Sequence, residues 1–356
     1  MKILTILGTR PEIIRLSEVI KKIDKDYDQK IVHTGQNFDY ELDRIFFKNF
    51  KLRKPDYYLN AIGTFGNQLS KISYQLEKII FEEKPDKFLV LGDTNSSLGA
   101  IVAKRAGLKV YHMEAGNRSY NKESPEEINR KIIDHSSDIL LPYTKGSALN
   151  LMKEGIAKDN IIVTGNPINE IIIKNKNKIK KSKILEKLEL QKKQYFLITL
   201  HREENVDDPK KLISFVNIMN SIVRDFHTKI IWPIHPRTLF RLKKIQKKLD
   251  KNVILIKPLG FFDFTFLEKN SKCILTDSGT VQEEAAIFKI PCLVIREKTE
   301  RPETIMSGSA KLVHNDYVKI KKNMKFFIKT KHVTKRIPEY DVKNVSSIIL
   351  GILKKY

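Results

Sequence analysis

The chain has 356 residues, of which 41% are hydrophobic, so it is long enough for two domains with cores of their own. Its formal net charge is +24, but the lysines are scattered over predicted helix faces without zinc-ligand spacing or an RNA-recognition signature, so no nucleic-acid partner is predicted. There is no apolar run of 18 residues and no signal-peptide pattern, and Cys273 and Cys292 lie in apolar runs, so we expect a cytoplasmic protein without membrane insertion or disulfides.

Short apolar runs alternate with stretches of helical periodicity along the whole chain. In the first half, predicted strands cover residues 3–7, 30–33, 87–91, 109–111, 139–141 and 161–163, and predicted helices include 65–82 and 96–106. In the second half, predicted strands cover 195–199, 229–232, 253–256, 273–276 and 292–295, and predicted helices cover 210–224, 238–248 and 281–288. This alternation predicts an α/β protein with two doubly wound parallel sheets, each covered by helices on both faces.

A linker rich in lysine and asparagine, residues 171–194, separates the two predicted domains. We expect one Rossmann-like domain over residues 1–170 and another over residues 171–338. The remaining stretch, residues 339–356, belongs to a predicted helix with one apolar face. That helix either caps the second domain or crosses back to the first.

Polar or glycine-containing motifs follow most of the predicted strands. They are Gly8-Thr9-Arg10-Pro11-Glu12, Gly92-Asp93-Thr94-Asn95, the Glu114 cluster, His201-Arg202-Glu203-Glu204-Asn205, His235-Pro236-Arg237 and Asp277-Ser278-Gly279-Thr280. Ligands of doubly wound sheets bind at the carboxyl ends of the strands. If the two sheets face each other, all of these motifs converge on one cleft.

The stretch 112–130 gathers charges directly after a predicted strand. It contains the carboxylates Glu114, Glu126 and Glu127 and the guanidiniums Arg118 and Arg130. Proton carriers beside fixed positive charge are typical of acid–base chemistry on an anionic substrate. The alternative is a solvated loop followed by a capped helix start.

Two of the motifs favour binding of an anion. Gly8-Thr9-Arg10 and Asp277-Ser278-Gly279-Thr280 each open a predicted helix, whose free N–H groups suit a phosphate, although each is also a good N-cap. Together they favour a nucleotide diphosphate, whereas the absence of a GxGxxG pattern argues against NAD, and no cofactor is predicted. His201 is expected to be functional from its polar neighbours, and no metal site is predicted, because no His or Cys pair has ligand spacing.

In their order and spacing, the motifs resemble the non-hydrolysing UDP-N-acetylglucosamine 2-epimerases. Added to those above, they include Pro125-Glu126-Glu127-Ile128-Asn129-Arg130, Gln282-Glu283-Glu284-Ala285 and Glu300-Arg301-Pro302-Glu303. The resemblance implies a GT-B fold with UDP in the second domain, a C-terminal helix that returns to the first domain, and a homodimer. It also implies that UDP-GlcNAc and UDP-ManNAc are interconverted by anti-elimination of UDP to a 2-acetamidoglucal and re-addition.

The resemblance also implies roles for individual residues. The catalytic set comprises Asp93, Glu114, Glu126, His201 and Arg130, and which carboxylate takes the C2 proton stays open. The set expected to bind UDP or the sugar comprises Arg10, Arg15, Arg202, His235, Phe264 (on the uracil side), Ser278, Gly279, Thr280 and Glu284.

Some positions depart from the family pattern. Asn117 replaces a leucine, Thr280 a glycine and Arg15 a lysine, and residues 34–40 replace a run that helps to bind an activating second UDP-GlcNAc in some bacterial relatives. These variants look like a subgroup that epimerises a UDP-2-acetamido-2,6-dideoxy-L-hexose on the way to UDP-N-acetyl-L-fucosamine. Two further alternatives are a GT-B glycosyltransferase and a non-catalytic UDP-sugar-binding protein.

Overall fold

The computed structural model describes residues 1–35, 40–245, 247–329 and 334–356, and of residues 40–44, 203 and 204 it describes only the backbone. The chain divides into two compact units. Unit 1 comprises Met1–Ile173 and Pro338–Tyr356, and unit 2 comprises Lys174–Ile337.

Each unit contains a six-stranded parallel sheet. The strands are β1 (Lys2–Leu7), β2 (Asp28–His33), β3 (Tyr57–Tyr58), β4 (Lys87–Leu91), β5 (Lys109–Met113), β6 (Ile139–Leu141), β7 (Tyr195–Thr199), β8 (Lys229–Pro233), β9 (Val253–Ile256), β10 (Cys273–Thr276), β11 (Cys292–Val294) and β12 (Ala310–Leu312). The order is β3-β2-β1-β4-β5-β6 in unit 1 and β12-β11-β10-β7-β8-β9 in unit 2. In both sheets the chain runs outward on one side and then returns to the other side of its first strand. The prediction of two doubly wound parallel sheets is therefore confirmed.

Helices connect the strands. They are α1 (Arg10–Asp26), α2 (Tyr40–Phe50), α3 (Phe65–Glu83), α4 (Gly99–Arg105), α5 (Pro125–His135), α6 (Lys145–Lys153), α7 (Ile168–Lys174), α8 (Lys176–Lys180), α9 (Ile184–Lys187), α10 (Glu203–Val206), α11 (Pro209–Phe226), α12 (Pro236–Lys244), α13 (Phe261–Asn270), α14 (Gly279–Phe288), α15 (Pro302–Met306), α16 (Tyr317–Lys329) and α17 (Val345–Lys355). Single 3₁₀ turns cover Asn95–Leu98, Lys158–Asn160 and Pro338–Tyr340. None of the helices in the described ranges is both long and apolar enough to cross a bilayer.

The sheets are buried on both faces, which explains why their strands are nearly continuous apolar runs. Side chains of β7 show this clearly, because successive residues of a strand point to opposite faces. Phe196 and Ile198 pack into one buried cluster, and Tyr195 and Leu197 into another on the opposite face.

The C-terminal segment packs within unit 1. Val345, Ile349 and Leu353 are buried at helical spacing on α17, which packs against α1. The backbone N–H and the hydroxyl of Ser346 donate to the buried Glu170 at 2.8 and 2.5 Å. Apolar contact and a buried polar anchor therefore hold the end of the chain to the first sheet.

Three short segments differ from the sequence predictions. The strand predicted at residues 161–163 is wrong, because that stretch follows a 3₁₀ turn and makes only one bridge, between Ile161 and Leu140. Strands β3 and β12, which have two and three residues, were not predicted because runs of that length carry no measurable alternation.

Candidate active site

The switch points of the two sheets identify where each unit would bind a ligand. Ligands of doubly wound sheets bind beyond the carboxyl ends of the strands, at the place where the strand order reverses. In unit 1 that place lies between β1 and β4, which lead into the Gly8 and Gly92 motifs. In unit 2 it lies between β7 and β10, which lead into the His201 and Asp277 motifs. The motifs that the sequence singles out therefore flank both switch points.

Asp93, after β4, is held by Arg130 of α5. The Nε and Nη2 atoms of Arg130 lie 2.8 and 2.6 Å from Oδ2 of Asp93, and its Nη1 donates to Glu127 at 2.8 Å. The side-chain amide of Asn129 donates to the backbone carbonyl of Asp93 at 2.9 Å. The Arg130 side chain is buried, whereas that of Asp93 remains 25% exposed. Asp93 is therefore a fixed, charge-compensated carboxylate that a substrate can still reach.

Glu114, after β5, has a left-handed backbone with φ 67°. For a residue with a side chain this conformation costs roughly 1–2 kcal/mol. The buried Glu114 carboxylate pairs with Arg15 of α1 and accepts a hydrogen bond from Asn117 at 3.3 Å. Asn117 is itself held by the hydroxyl of Ser147 at 2.8 Å. A strained residue fixed by polar partners is a common feature of functional sites.

Arg10 and Glu12 lie at the start of α1. Glu12 is buried and accepts hydrogen bonds from the N–H groups of Gly8 and Thr9, at 3.1 and 2.7 Å, and from the Thr94 hydroxyl at 3.0 Å. Burial raises the pKa of Glu12 to about 7, against the opposing effect of these hydrogen bonds. Glu12 thus ties the loop after β1 to the loop after β4. Arg10, the half-buried first residue of α1, is placed by the same turn.

Glu126 lies in the first turn of α5 and is half-buried. It accepts a hydrogen bond from the hydroxyl of Ser124 at 2.5 Å, so the helix start and this carboxylate are held together. The structure therefore presents a half-buried carboxylate at the start of α5.

Two other charges of that stretch have structural partners. The Glu127 carboxylate accepts hydrogen bonds from Ser119 and Tyr120 at 2.9 to 3.0 Å. Arg118 is buried with Asp134 at 2.8 Å and Glu154 at 2.5 Å. These contacts shape the loop, so the charge cluster expected from the sequence separates into a site part and a structural part.

Asp134 organises the interior behind this loop. It lies 2.8 Å from Nδ1 of His112 and accepts the N–H of Gly116 at 3.1 Å. Gly116 has φ 74°, and a Cβ there would collide with the carbonyl of Ser147, so the position needs glycine. The other ring nitrogen of His112 contacts the carbonyl of Gly92 at 2.9 Å, which places His112 in the structural set.

Asp277 is the polar centre of the switch point in unit 2. It is fully buried and lies 3.0 Å from Nδ1 of His201. It also accepts the N–H groups of His201 and Arg202, at 3.1 and 3.0 Å, and the amide of Asn205 at 3.1 Å. Burial alone would raise its pKa, but His201 and these hydrogen bonds lower the pKa of Asp277 to about 2. The sequence placed Asp277 in a helix-opening motif and did not identify it as the partner of His201.

His201 is presented outward by this arrangement. Its side chain is 54% exposed, and because Nδ1 faces Asp277, Nε2 is the nitrogen left for a ligand. A carboxylate behind an imidazole fixes the orientation of the ring, so His201 presents Nε2 outward from a fixed position.

The N-terminus of α14 adds backbone donors beside His201. Ser278 is its N-cap, Gly279 is its buried first residue and Thr280, half-buried, is its second. A Cβ on Gly279 would come within 2.4 Å of Oε1 of Glu300, so this carboxylate would have to shift. N–H groups at a helix start bind phosphate readily.

Arginine side chains surround the same helix start. Arg202 donates through Nε to the carbonyl of Asp277 at 3.1 Å, and its Nη2 lies 3.7 Å from Glu300. Arg296 pairs with Glu300 at 2.6 Å, and Arg301 pairs with the buried Glu283. Guanidinium groups thus lie around the helix start, where the carboxylates of Glu283 and Glu300 hold them in place.

The remaining residues expected to contact the nucleotide also lie in unit 2. His235 caps α12, directly after β8, and its Nδ1 accepts the N–H of Arg237 at 3.3 Å. Phe264 is half-buried on α13, and Glu284 is buried on α14. Because β8 neighbours β7, which neighbours β10, His235 follows the same sheet edge as His201 and Asp277.

Two predictions concern other ligands. Among the residues that the structure describes, there is no group of three or more His, Cys, Asp or Glu side chains that could hold a metal ion. Residues 36–39, in the stretch that replaces the activator-binding run of some relatives, lie outside the described residues.

The fold and the two sites define the class of the protein. Solved structures that it resembles have the GT-B fold, in which two Rossmann-like domains form one protein, so the predicted fold class is confirmed. Residues 21–354 match the model of the UDP-N-acetylglucosamine 2-epimerase family. The chain belongs to this family of sugar-nucleotide epimerases.

Individual relatives agree over nearly the whole chain. A UDP-N-acetylglucosamine 2-epimerase from Methanocaldococcus jannaschii is 42% identical over 347 residues, which cover 93% of each protein. The crystal structure of the UDP-GlcNAc 2-epimerase from that organism, in complex with UDP-GlcNAc and UDP, covers 100% of both chains with a TM-score of 0.94 and 40% identity. The Neisseria meningitidis enzyme bound to UDP-GlcNAc likewise covers both chains fully, with a TM-score of 0.91 and 30% identity.

Proposed function

We propose that this chain is a non-hydrolysing UDP-N-acetylglucosamine 2-epimerase that interconverts UDP-GlcNAc and UDP-ManNAc. The observation that carries the proposal is the division of chemistry between the two switch points. One bears carboxylates held by guanidinium groups, and the other bears a helix N-terminus, an Asp277-anchored histidine and arginines. Proton transfer at carbon and departure of a diphosphate need these two sets of groups.

Unit 2 binds UDP in this proposal. The N–H groups of Gly279 and Thr280 and the side chains of Ser278, His201 and Arg202 bind the diphosphate. Glu284 accepts hydrogen bonds from the ribose, Phe264 contacts the uracil, and His235 adds a donor at the same sheet edge. When the C1–O bond breaks, the cationic groups stabilise the charge that develops on the departing UDP.

Unit 1 carries out the proton transfers. One of Asp93, Glu114 and Glu126 removes the C2 proton, and the C–H electron pair forms a C1=C2 double bond as the C1–O pair leaves with UDP. The products of this half-reaction are UDP and 2-acetamidoglucal. UDP then re-adds at C1 and a proton returns to the opposite face of C2. Arg130 and Arg15 hold their carboxylates in place, and Arg10 adds positive charge at the start of α1.

Incubation with UDP-GlcNAc in deuterated water, followed by NMR, tests this function directly. We expect UDP-ManNAc to form, with deuterium at C2 in both sugars and traces of free UDP and glycal. Epimerised product without deuterium at C2 would overturn the elimination mechanism. Unchanged UDP-GlcNAc in the absence of an acceptor would instead favour a transferase.

The sugar, the assembly and the compartment are parts of the same proposal. We expect UDP-GlcNAc to be turned over faster than a UDP-2-acetamido-2,6-dideoxy-L-hexose in a parallel assay. We also expect a homodimer by sedimentation equilibrium and a cytoplasmic location by cell fractionation. A monomer with full activity would contradict the assembly part alone.

A further inference from the structure

Glu268 is a buried carboxyl group that the chemistry above does not use. It lies on α13 with 0% exposure, and neither of its oxygens accepts a hydrogen bond from a donor in the described ranges. No lysine, arginine or histidine pairs with it within those ranges. Because an isolated buried carboxylate is strongly disfavoured, the group must be compensated by a proton.

The polar neighbour of Glu268 is another carboxyl group. Helix α14 packs against α13, and its Glu284, 3% exposed, interacts directly with Glu268. Among the residues that the structure describes, the other titratable groups near Glu268 are the phenol of Tyr195, which donates to the carbonyl of Leu267 at 2.5 Å, and the buried thiol of Cys292. Neither supplies positive charge.

Two buried carboxyl groups in contact cannot both ionise. Burial and the neighbouring Glu284 raise the pKa of Glu268 well above its ordinary value. Glu268 has the less exposed side chain, so it is the member of the pair that keeps the proton. An un-ionised carboxyl group then becomes a hydrogen-bond donor, which Glu284 can accept.

We propose that Glu268 is a positioning residue of the nucleotide site, which stays protonated and donates its hydrogen to Glu284. The proposal rests on the proposed function, in which Glu284 accepts hydrogen bonds from the ribose of UDP. The donated hydrogen bond fixes the Glu284 carboxylate and leaves the pair with a single negative charge.

A pair of substitutions separates this role from simple packing. Glu268→Gln keeps a donor but cannot ionise, and Glu268→Met keeps a similar volume without a donor. The affinities for UDP and for 2′,3′-dideoxy-UDP are measured by calorimetry at pH 7. A hydrogen bond to a charged group corresponds to roughly a 10-fold or larger preference for the ribose form. We expect the wild type and Glu268→Gln to keep this preference, and Glu268→Met to lose most of it while still binding the diphosphate.

The outcomes distinguish the two proposals. Failure of the wild type to bind UDP would overturn the proposed function. If the wild type binds UDP and turns over its substrate but does not prefer UDP to 2′,3′-dideoxy-UDP, only the role of the carboxyl pair is overturned. An unchanged preference in Glu268→Met, or a lost one in Glu268→Gln, would do the same.

Infrared spectroscopy gives a readout that does not depend on Glu268→Met folding. The difference spectrum between wild type and Glu268→Gln should contain the carbonyl band of an un-ionised carboxylic acid. Its absence at pH 7 would show that Glu268 is ionised and would overturn the inference.

Discussion

Asp93 and Glu114 are both paired with arginines, but they differ in access. The side chain of Asp93 is 25% exposed and that of Glu114 is 7% exposed, with a left-handed backbone. A reacting carboxylate must meet the substrate, whereas a buried and strained one can act by holding the neighbouring groups in place. Isosteric substitution of each carboxylate therefore distinguishes a proton carrier from a residue that only holds its neighbours in place.

Glu114→Gln and Glu126→Gln are expected to lower kcat by roughly 10²–10⁴-fold, because each removes a proton carrier or its charge. The affinity for UDP should stay near the wild-type value, since neither side chain is among the residues expected to bind UDP. Glu123→Gln, an exposed neighbour in the same loop, is the matched control and should leave kcat unchanged. Steady-state kinetics and calorimetry measure both quantities. Equal losses of rate and UDP affinity would contradict the division of roles.

Because of Asp277, the free energy of unfolding should depend on pH in the acid range. Its pKa is about 2 in the folded protein, below the ordinary value of 3.8, so the folded state favours the ionised form. The resulting stabilisation, about 2 kcal/mol, is complete above pH 4 and is lost as the pH falls toward 2. Urea unfolding should show the stability gap between wild type and Asp277→Asn narrowing by about 1 kcal/mol from pH 6 to pH 3. A constant gap would show that Asp277 is not ionised preferentially in the fold.

For individual residues, the sequence identified candidate functional side chains but not the residues that they contact. His201 was singled out from its polar neighbours, but its contact with Asp277 joins residues 76 positions apart and depends on β7 pairing with β10. Similarly, Arg118 looked like part of the site because local sequence cannot distinguish a buried ion pair with Asp134 from an exposed charge. Burial and strand order decide these assignments.

Helix α14 shows how one element can form an anion site. At its buried start, a Cβ on Gly279 would displace the carboxylate of Glu300, which holds Arg296 beside the helix. Gly279→Ala should therefore weaken UDP binding at least 10-fold and destabilise the fold by roughly 1–3 kcal/mol.

Gly351→Ala on α17 is the control, because a Cβ there meets nothing within 4 Å. It should stabilise the protein by roughly 0.5–1 kcal/mol and leave UDP binding unchanged. Calorimetry and chemical unfolding of both variants measure these effects. Unimpaired UDP binding by Gly279→Ala would remove α14 from the proposed site.

Helices and strands were predicted correctly where the hydrophobic pattern extends over many residues. Helices such as α3 and α11 and strands such as β4 and β10 lie within a few residues of their predicted bounds, because many positions share one pattern. The prediction for residues 161–163 failed because the stretch pairs with β6 through a single bridge, between Ile161 and Leu140, and apolar composition does not reveal how far such pairing extends. A strand needs a neighbouring edge as well as a suitable sequence.

For the whole molecule, the net charge of +24 should not produce sequence-specific binding to DNA. Lysine scattered over surfaces attracts DNA only through counterion release, so binding should be weak and should fall steeply with salt. Fluorescence anisotropy with a random duplex at 50 and 200 mM salt measures this. Tight, sequence-selective binding at physiological salt would contradict the prediction.

Binding of UDP should stabilise the folded protein. A ligand that binds only the folded protein stabilises it by about 2.7 kcal/mol at 100 times its Kd. For units of this size the Tm should then rise by about 5 °C or more.

His201→Asn in unit 2 removes a contact to the diphosphate, and Arg10→Ala in unit 1 removes positive charge at the start of α1. Both substitutions should therefore reduce the rise in Tm at a fixed UDP concentration. Differential scanning fluorimetry compares the two variants with Glu123→Gln. A reduced shift in His201→Asn with a full shift in Arg10→Ala would confine UDP recognition to unit 2, and no shift in the wild type would contradict nucleotide binding altogether.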